Sequence, residues 1–386
     1  MNPRLRNAIL FVHRWTGLTV GLLAVFAALT GLALVFRAQL QPLAERSLRE
    51  VPACTTRLSL DEIVARASAR LPGAKLLQLE LFEGGYGASI VRFTDQEGVY
   101  VNSCTGAILG QKNRWAGFFG FAEWLHRYRF IGNSDVSEPL QGSVSLILAI
   151  VMVGGGLAIW WPSTIKALKN GLKLRWRLKG HAFELNLHRT VGAYAAAIFL
   201  LSTVTSLTFT FEWARHAIFA ATGSPVPPKK PKLAAVKGAP APAETLMART
   251  LETIPDAREI QILFPKKAGD AVEVQALERD APHSLARTYL YLDPSSAEVV
   301  RLEPYARASV GVRLYRWLGA LHQGEVGGLG MQLILFAGIL GVPVLGYTGI
   351  SSYLRGRLRR ADAKGGARAR VSRGDNKRKT ADSLSD

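Results

Sequence analysis

Four apolar runs divide the chain, at about residues 10–37, 141–161, 189–214 and 331–354. Each can cross the roughly 30 Å hydrocarbon layer as a helix of about 20 residues. Between the runs the period changes. Ser59–Ala69 is predicted to be a short amphipathic helix, with Ile63, Ala67 and Leu71 on one face and Ser59 and Glu62 spaced as a capping box. Leu76–Phe82, Ala88–Phe93 and Gly98–Asn102 read as strands, with a glycine turn at Gly84-Gly85 and a last short strand near Ala107–Leu109. Glu244–Tyr305 repeats that plan, with a helix from about Glu244 and strands at Glu259–Phe264, Ala271–Leu277, Arg287–Leu292 and near Glu298–Leu302. Prolines and lysines between Ala221 and Ala243 predict an extended linker, and the charged tail beyond Ala361 is predicted to lack regular structure.

The apolar runs also repeat. HRWTGLTVGLLAVFAALTGLALVF from His13 aligns with HRTVGAYAAAIFLLSTVTSLTFTF from His188, matching Arg14 with Arg189, Gly17 with Gly192, Thr30 with Thr205 and Phe36 with Phe211. The segment from Leu71 to Gln78 likewise answers Ile254 to Gln261, and Tyr100-Val101-Asn102 answers Tyr291-Leu292-Asp293. One unit is used twice. Gly17, Gly21, Ala24 and Ala28 lie on the helix face below His13, a stripe that serves either close packing of another helix or a flat cofactor ligated by the imidazole.

Charge sets the expected topology. The chain carries a net charge of +19 over 386 residues, 48% of them hydrophobic. The basic residues border the apolar runs: Arg4 and Arg6, the cluster from Lys166 to Lys179, and the segment from Arg355 to Arg360. The positive-inside rule places these three segments in the cytoplasm and the two long connections outside, and it favours anionic lipid over nucleic acid as the partner of the charge. The first run is longer than a signal peptide, and no small-residue cleavage site follows it at Gln39-Leu40-Gln41-Pro42, so an uncleaved anchor is expected. Cys54 and Cys104 share the first outward segment. They are either unpaired thiols or, in an oxidising compartment, a disulfide contributing about 2–4 kcal/mol.

Several marks are similar to those of the PepSY domain and its associated membrane helices: His13-Arg14-Trp15-Thr16-Gly17 with Thr30-Gly31-Leu32, Leu125-His126-Arg127, the run from Gly156 to Pro162, and Thr348-Gly349-Ile350. The third helix departs from the pattern, with Thr205-Ser206 where Thr-Gly is expected, a change expected to loosen a helix contact without touching a histidine. The fold class implied is a membrane α-helical bundle of four transmembrane helices, with a pseudo-twofold internal repeat and two α+β PepSY-like periplasmic domains. Its expected divisions are a first span over 1–37, a first PepSY-like domain over 38–110, and an interfacial helix with the second span over 111–161. A cytoplasmic basic loop over 162–187 and the third span over 188–214 follow. The Pro-rich linker with the second PepSY-like domain takes 215–305, an interfacial helix with the fourth span 306–354, and the basic tail 355–386.

Each half carries a second histidine, His126 and His322, after an aromatic and basic segment suited to the membrane boundary. An axis along the membrane normal would bring His13 to His188 near the inner face and His126 to His322 near the outer face. Two imidazoles from opposite sides are what six-coordinate haem iron needs, whereas zinc wants four protein ligands that neither level supplies. Two b-type haems are therefore expected, with Arg14 and Arg189 placed to meet either propionates or lipid phosphates. The other reading is that the histidines are capping or interfacial residues. His216 is the rival outer ligand, His181 is expected at the lipid surface, and His283 in a solvated turn. Gly324 to Gly330 is expected to be a flexible lead-in to the fourth span, with no strand before it to make a nucleotide loop.

Within the family, the resemblance is strongest to the bacterial inner-membrane ferric-siderophore reductases. It implies a haem-dependent oxidoreductase that reduces a periplasmic Fe(III)–siderophore, fed by a quinol or a cytoplasmic reductase. The substrate is expected in a pocket above His126 and His322, among Trp115, Trp124, Arg127, Arg129, Arg316 and Trp317. A transporter without redox chemistry and a regulatory membrane protein are the alternatives from other classes.

Overall fold

The structure, a computed structural model, describes residues 1–52, 54–83, 87–233 and 239–382, with side chains described as far as residue 358. The glycine turn expected at Gly84-Gly85 and part of the expected linker lie outside the described residues.

Three helical segments, Ser134–Trp160, Gly180–Thr210 and Gly328–Leu358, are long and apolar enough to cross a membrane. The first apolar run differs from expectation: it is two helices, Pro3–Leu18 and Val20–Leu34, bent by 54°. The bend falls at Thr19, whose hydroxyl donates to the Trp15 carbonyl at 2.9 Å, the back-bonding that loosens and bends a helix. Counting the bent pair as one span gives four candidate spans among the described residues. The second span carries a π-helical stretch over Leu148–Gly154, immediately before Gly155 and Gly156. The last helix runs on from Gly328 to Asp382, although its basic tail was expected to be irregular. That tail has many Ala, Arg and Lys residues and no proline, and these favour helix.

The chain forms two compact units. The first comprises Met1–Leu29, Val144–Thr203 and Ala337–Asp386. Its core joins Ala24, Ala28, Val144, Leu148 and Val342. Small residues bring helices close here. A Cβ added at Gly17 would lie 3.2 Å from the Met152 methyl, and one at Gly341 would lie 2.9 Å from the Ala195 Cβ.

The second unit, Thr30–Ser143 and Val204–Phe336, is built on one antiparallel sheet of eight strands. These are β1 (Leu76–Phe82), β2 (Ala88–Phe93), β3 (Glu97–Asn102), β4 (Ile108–Asn113), β5 (Ala257–Leu263), β6 (Val272–Glu278), β7 (Thr288–Leu292) and β8 (Val299–Glu303), in the order β4-β3-β2-β1-β5-β6-β7-β8. The strand positions follow the sequence pattern, but the expected pair of separate sheets is one. β1 and β5 pair edge to edge through Leu79 and Ile262, which removes the unpaired edge that each small sheet would otherwise present.

One face of the sheet is apolar. Leu79, Leu81, Val91, Ile260, Ile262 and Val274 are buried under the helices Leu60–Arg70 and Ala243–Thr253. Those helices cap each other. Asp61 accepts from the Ala243 amide at 2.7 Å, while Glu244 accepts from the Leu60 amide at 2.8 Å and pairs with Arg57 at 2.6 Å. Carboxylates at helix N-termini satisfy open N–H groups and meet the positive end of the dipole. Ser59 accepts from Glu62 N as expected, but the Glu62 carboxylate pairs with Arg66. Cys54 and Cys104 are disulfide-bonded, with Cα atoms 6.2 Å apart.

Candidate cofactor site

His13 projects from the Pro3–Leu18 helix and His188 from Gly180–Thr210, and the first unit brings their rings together with centroids 6.5 Å apart at an interplanar angle of 87°. Each ring is held by its Nδ1. His13 Nδ1 lies 3.3 Å from the carbonyl of Val151, in the π-helical stretch where the regular ladder is interrupted. A carbonyl only accepts, so this contact makes Nδ1 the protonated nitrogen. His188 Nδ1 lies 2.9 Å from the Thr348 hydroxyl, which itself donates to the Val344 carbonyl at 2.8 Å. That hydroxyl therefore accepts from His188. Both imidazoles are left with an unprotonated Nε2, the form that ligates a metal.

The spacing can be tested. With a metal–nitrogen bond of about 2 Å and about 1.1 Å from ring centre to ring nitrogen, two rings on opposite sides of one metal would have centroids about 6.2 Å apart. The observed 6.5 Å matches. Glycines leave room beside the rings: a Cβ at Gly156 would meet His13 Cε1 at 3.2 Å, and one at Gly349 would meet His188 Cε1 at 3.6 Å. Among the described residues no three His, Cys, Asp or Glu side chains converge to hold a metal ion, so further ligands at this site would have to come with the metal.

In the second unit the same threonine support of Nδ1 recurs on two further histidines. His126 ends the helix Gly117–His126 and His322 ends Val310–His322. His126 Nδ1 lies 3.2 Å from the Thr30 hydroxyl, and His322 Nδ1 lies 2.9 Å from the Thr205 hydroxyl. Gln141 donates to the His126 carbonyl at 2.8 Å, and the Phe209 ring stands 5.5 Å from that of His322. A Cβ at Gly31 would meet His126 Cε1 at 3.2 Å. The Thr-Gly pairs thus act on histidines: threonine takes Nδ1 and glycine clears Cε1. In Thr205-Ser206, where serine replaces the expected glycine, the retained threonine holds His322. These threonines were visible in the sequence as matched positions, but their partners lie far along the chain.

The remaining candidates fall as follows. Arg14 and Arg189 are exposed. His216 is exposed on a separate helix, Glu212–Ala221, whereas His322 is half-buried. His283, expected to be solvated, is buried at 6% exposure, with its ring 5.1 Å from Trp317 and 5.9 Å from Tyr305. Burial lowers its pKa. Glu325 in the glycine-rich segment accepts from Ser284 Oγ at 2.6 Å, so the expected flexible lead-in is tied to the β6–β7 loop.

The six proposed substrate residues are engaged within the protein. Arg127 pairs with Glu123 at 3.3 Å, Arg129 with Glu138 at 2.6 Å, and Arg316 donates to the Arg287 carbonyl and lies over the Tyr289 ring. Trp124 stacks on Phe121, Trp115 lies under Arg114, and Trp317 packs on His283. None of the six lines a polar cavity of this unit that is bordered by β1–β4 and by Gln261 of β5.

A family model described as "PepSY-associated TM region" matches residues 10–355. No curated protein sequence matches the chain.

Proposed function

We propose that this chain, which belongs to the PepSY-associated transmembrane family, holds two b-type haems and passes electrons through them to a ferric siderophore. The observation that carries the reading is the His13–His188 pair, two Nδ1-held imidazoles at a spacing that would let both ligate one metal. Haem, held by these histidines, would supply the remaining ligands and the one-electron chemistry. The protein's part is to fix each ring by Nδ1, to present Nε2, and to keep glycines where a flat group would lie. His126 and His322, each held by a threonine, would serve the second haem.

The duplicated sequence fits this assignment. Under the alignment of Gln78 with Gln261, Leu79 corresponds to Ile262, and these two residues pair with each other between β1 and β5. A pseudo-twofold axis through that pair would relate two PepSY-like domains within the sheet unit. The basic helix ends favour a bacterial cytoplasmic membrane location with both termini inside and the sheet unit in the periplasm. Alkaline phosphatase fused after Gly223 should then be active and fused after Ser163 inactive; the opposite pattern contradicts this topology.

The reaction is one electron to Fe(III), giving Fe(II). Oxygen donors hold Fe(II) less tightly, so the metal is released. Protein reduced with dithionite and mixed anaerobically with a ferric siderophore should re-oxidise its haems as a ferrous chelator traps iron. Haems that stay reduced with every ferric siderophore, yet are oxidised by ferricyanide, would refute the reading.

Thr348→Val tests the ring support separately. Valine keeps the volume and removes the acceptor of His188 Nδ1–H. Loss of such a partner typically costs about 10–100-fold in metal affinity. Haemin titration of the apo-protein should show that weakening at one site only; unchanged affinity would make the threonine a packing residue.

A further inference from the structure

The sheet has a second, polar face. Gln78, Glu80, Arg92 and Tyr100 point away from the apolar core and, with the helices Arg37–Ala44 and Arg46–Arg49, line a cavity of about 330 Å³. That volume is at the lower end of the range for small-molecule sites. The cavity's charge is unbalanced: Arg37, Arg49, Arg92, Lys112 and Arg114 line it against two carboxylates, Glu45 and Glu80.

The arginines already hold carboxylates. Arg49 reaches Glu45 at 2.8 Å, Arg92 is paired with Glu80, and Lys112 is paired with Glu45. Arg37 and Arg114 hold Glu123 at 2.6 and 3.2 Å. Burial would raise the Glu45 pKa, but Lys112, Gln41 and Arg49 hold it below the usual range, so it stays charged. Even with both lining carboxylates ionised the wall is positive, and each guanidinium has more N–H groups than these bonds use. Planar guanidinium forks match carboxylates better than they match a spherical anion.

We infer that this cavity binds a small anion bearing two or more carboxylates, with Arg49, Lys112 and Arg114 as its charge partners. The ligand adds carboxylate oxygens to donors that Glu45, for Arg49 and Lys112, and Glu123, for Arg114, satisfy only in part. Nothing in this site needs a haem, so it stands apart from the electron-transfer reading. It does adjoin the helix of His126, because Arg37 and Arg114 are shared with Glu123, one turn before that histidine.

The test is calorimetry on the full chain in zwitterionic nanodiscs, with citrate as the probe and inorganic phosphate and chloride as comparison anions. Citrate should bind at one site per chain, and more tightly than phosphate. Lys112→Gln and Arg114→Gln should each weaken citrate about tenfold or more, which corresponds to about 1.4 kcal/mol. Glu45→Gln removes the competing negative charge, so it should tighten citrate. An effect of opposite sign cannot come from misfolding. The inference fails if citrate shows no saturable binding at millimolar concentration, if phosphate and chloride bind as well as citrate, or if Glu45→Gln weakens binding as the lysine and arginine variants do.

Discussion

Replacing His188 by alanine is expected to halve the haem content of the purified protein and leave a low-spin spectrum from the haem that remains. The ring of His188 stands 6.5 Å from that of His13, and its Nδ1 is fixed 2.9 Å from Thr348, so removing it takes away a pre-oriented imidazole rather than a mobile one. His13→Ala should give the same loss, because one imidazole cannot complete a six-coordinate site. If both variants keep full haem content, the pairing is wrong. The second site should respond to His322→Ala and His126→Ala but not to His216→Ala. His216 is exposed on its own short helix, while His322 is half-buried beside Phe209 and Thr205.

Features with a local signature could be read in the sequence. Leu76–Phe82 and Ala88–Phe93 alternate or run apolar at strand length, and both are strands over those residues. The histidines stood out because each recurs with its neighbours in the second half of the chain. Partners distant in sequence left no such mark. Nothing around Leu79 specifies that its strand will pair with Ile262, since an edge looks the same whether it is paired or not. Nothing around Thr348 announces His188, 160 residues away. Asp61 and Glu244 each resemble ordinary first-turn acids, yet each caps the other's helix. His283 lies among turn-forming residues, and only the packing of Trp317 and Tyr305 over it makes it a core residue. The π-helical stretch before Gly155 was hidden for a different reason: glycines in an apolar run look like packing residues whether or not the ladder above them is regular.

Glu123→Gln is expected to destabilise the sheet unit and to make its stability less sensitive to acid. Glu123 is buried, with its carboxylate 2.6 Å from Arg37, 3.2 Å from Arg114 and 3.3 Å from Arg127. Burial alone would raise its pKa, but the Arg37 hydrogen bond and the charges of Arg114, Arg37 and Arg127 outweigh it and hold the carboxyl down to about 2, against an ordinary 4.5. A depressed carboxyl pKa stabilises the fold fully above 4.5, and the contribution is lost as pH falls from 4.5 towards 2. The shift corresponds to about 3 kcal/mol, and screening of the partly exposed arginines makes about 2 kcal/mol a fair expectation at pH 7. Glutamine keeps the shape and an acceptor but leaves three guanidinium groups without a counter-charge, and breaking a buried charge network in this way is costly. Denaturant unfolding followed by near-ultraviolet circular dichroism should show the variant less stable at pH 7, with the gap to wild type closing as pH falls below 4.5. The strain would be felt first at His126, because Glu123 is one turn before it on the helix Gly117–His126 and Arg37 anchors that turn from the helix Arg37–Ala44. Equal stability at pH 7, or a gap that persists unchanged at pH 3, would mean that the arginines are balanced by solvent and that Glu123 does not organise this end of the sheet unit.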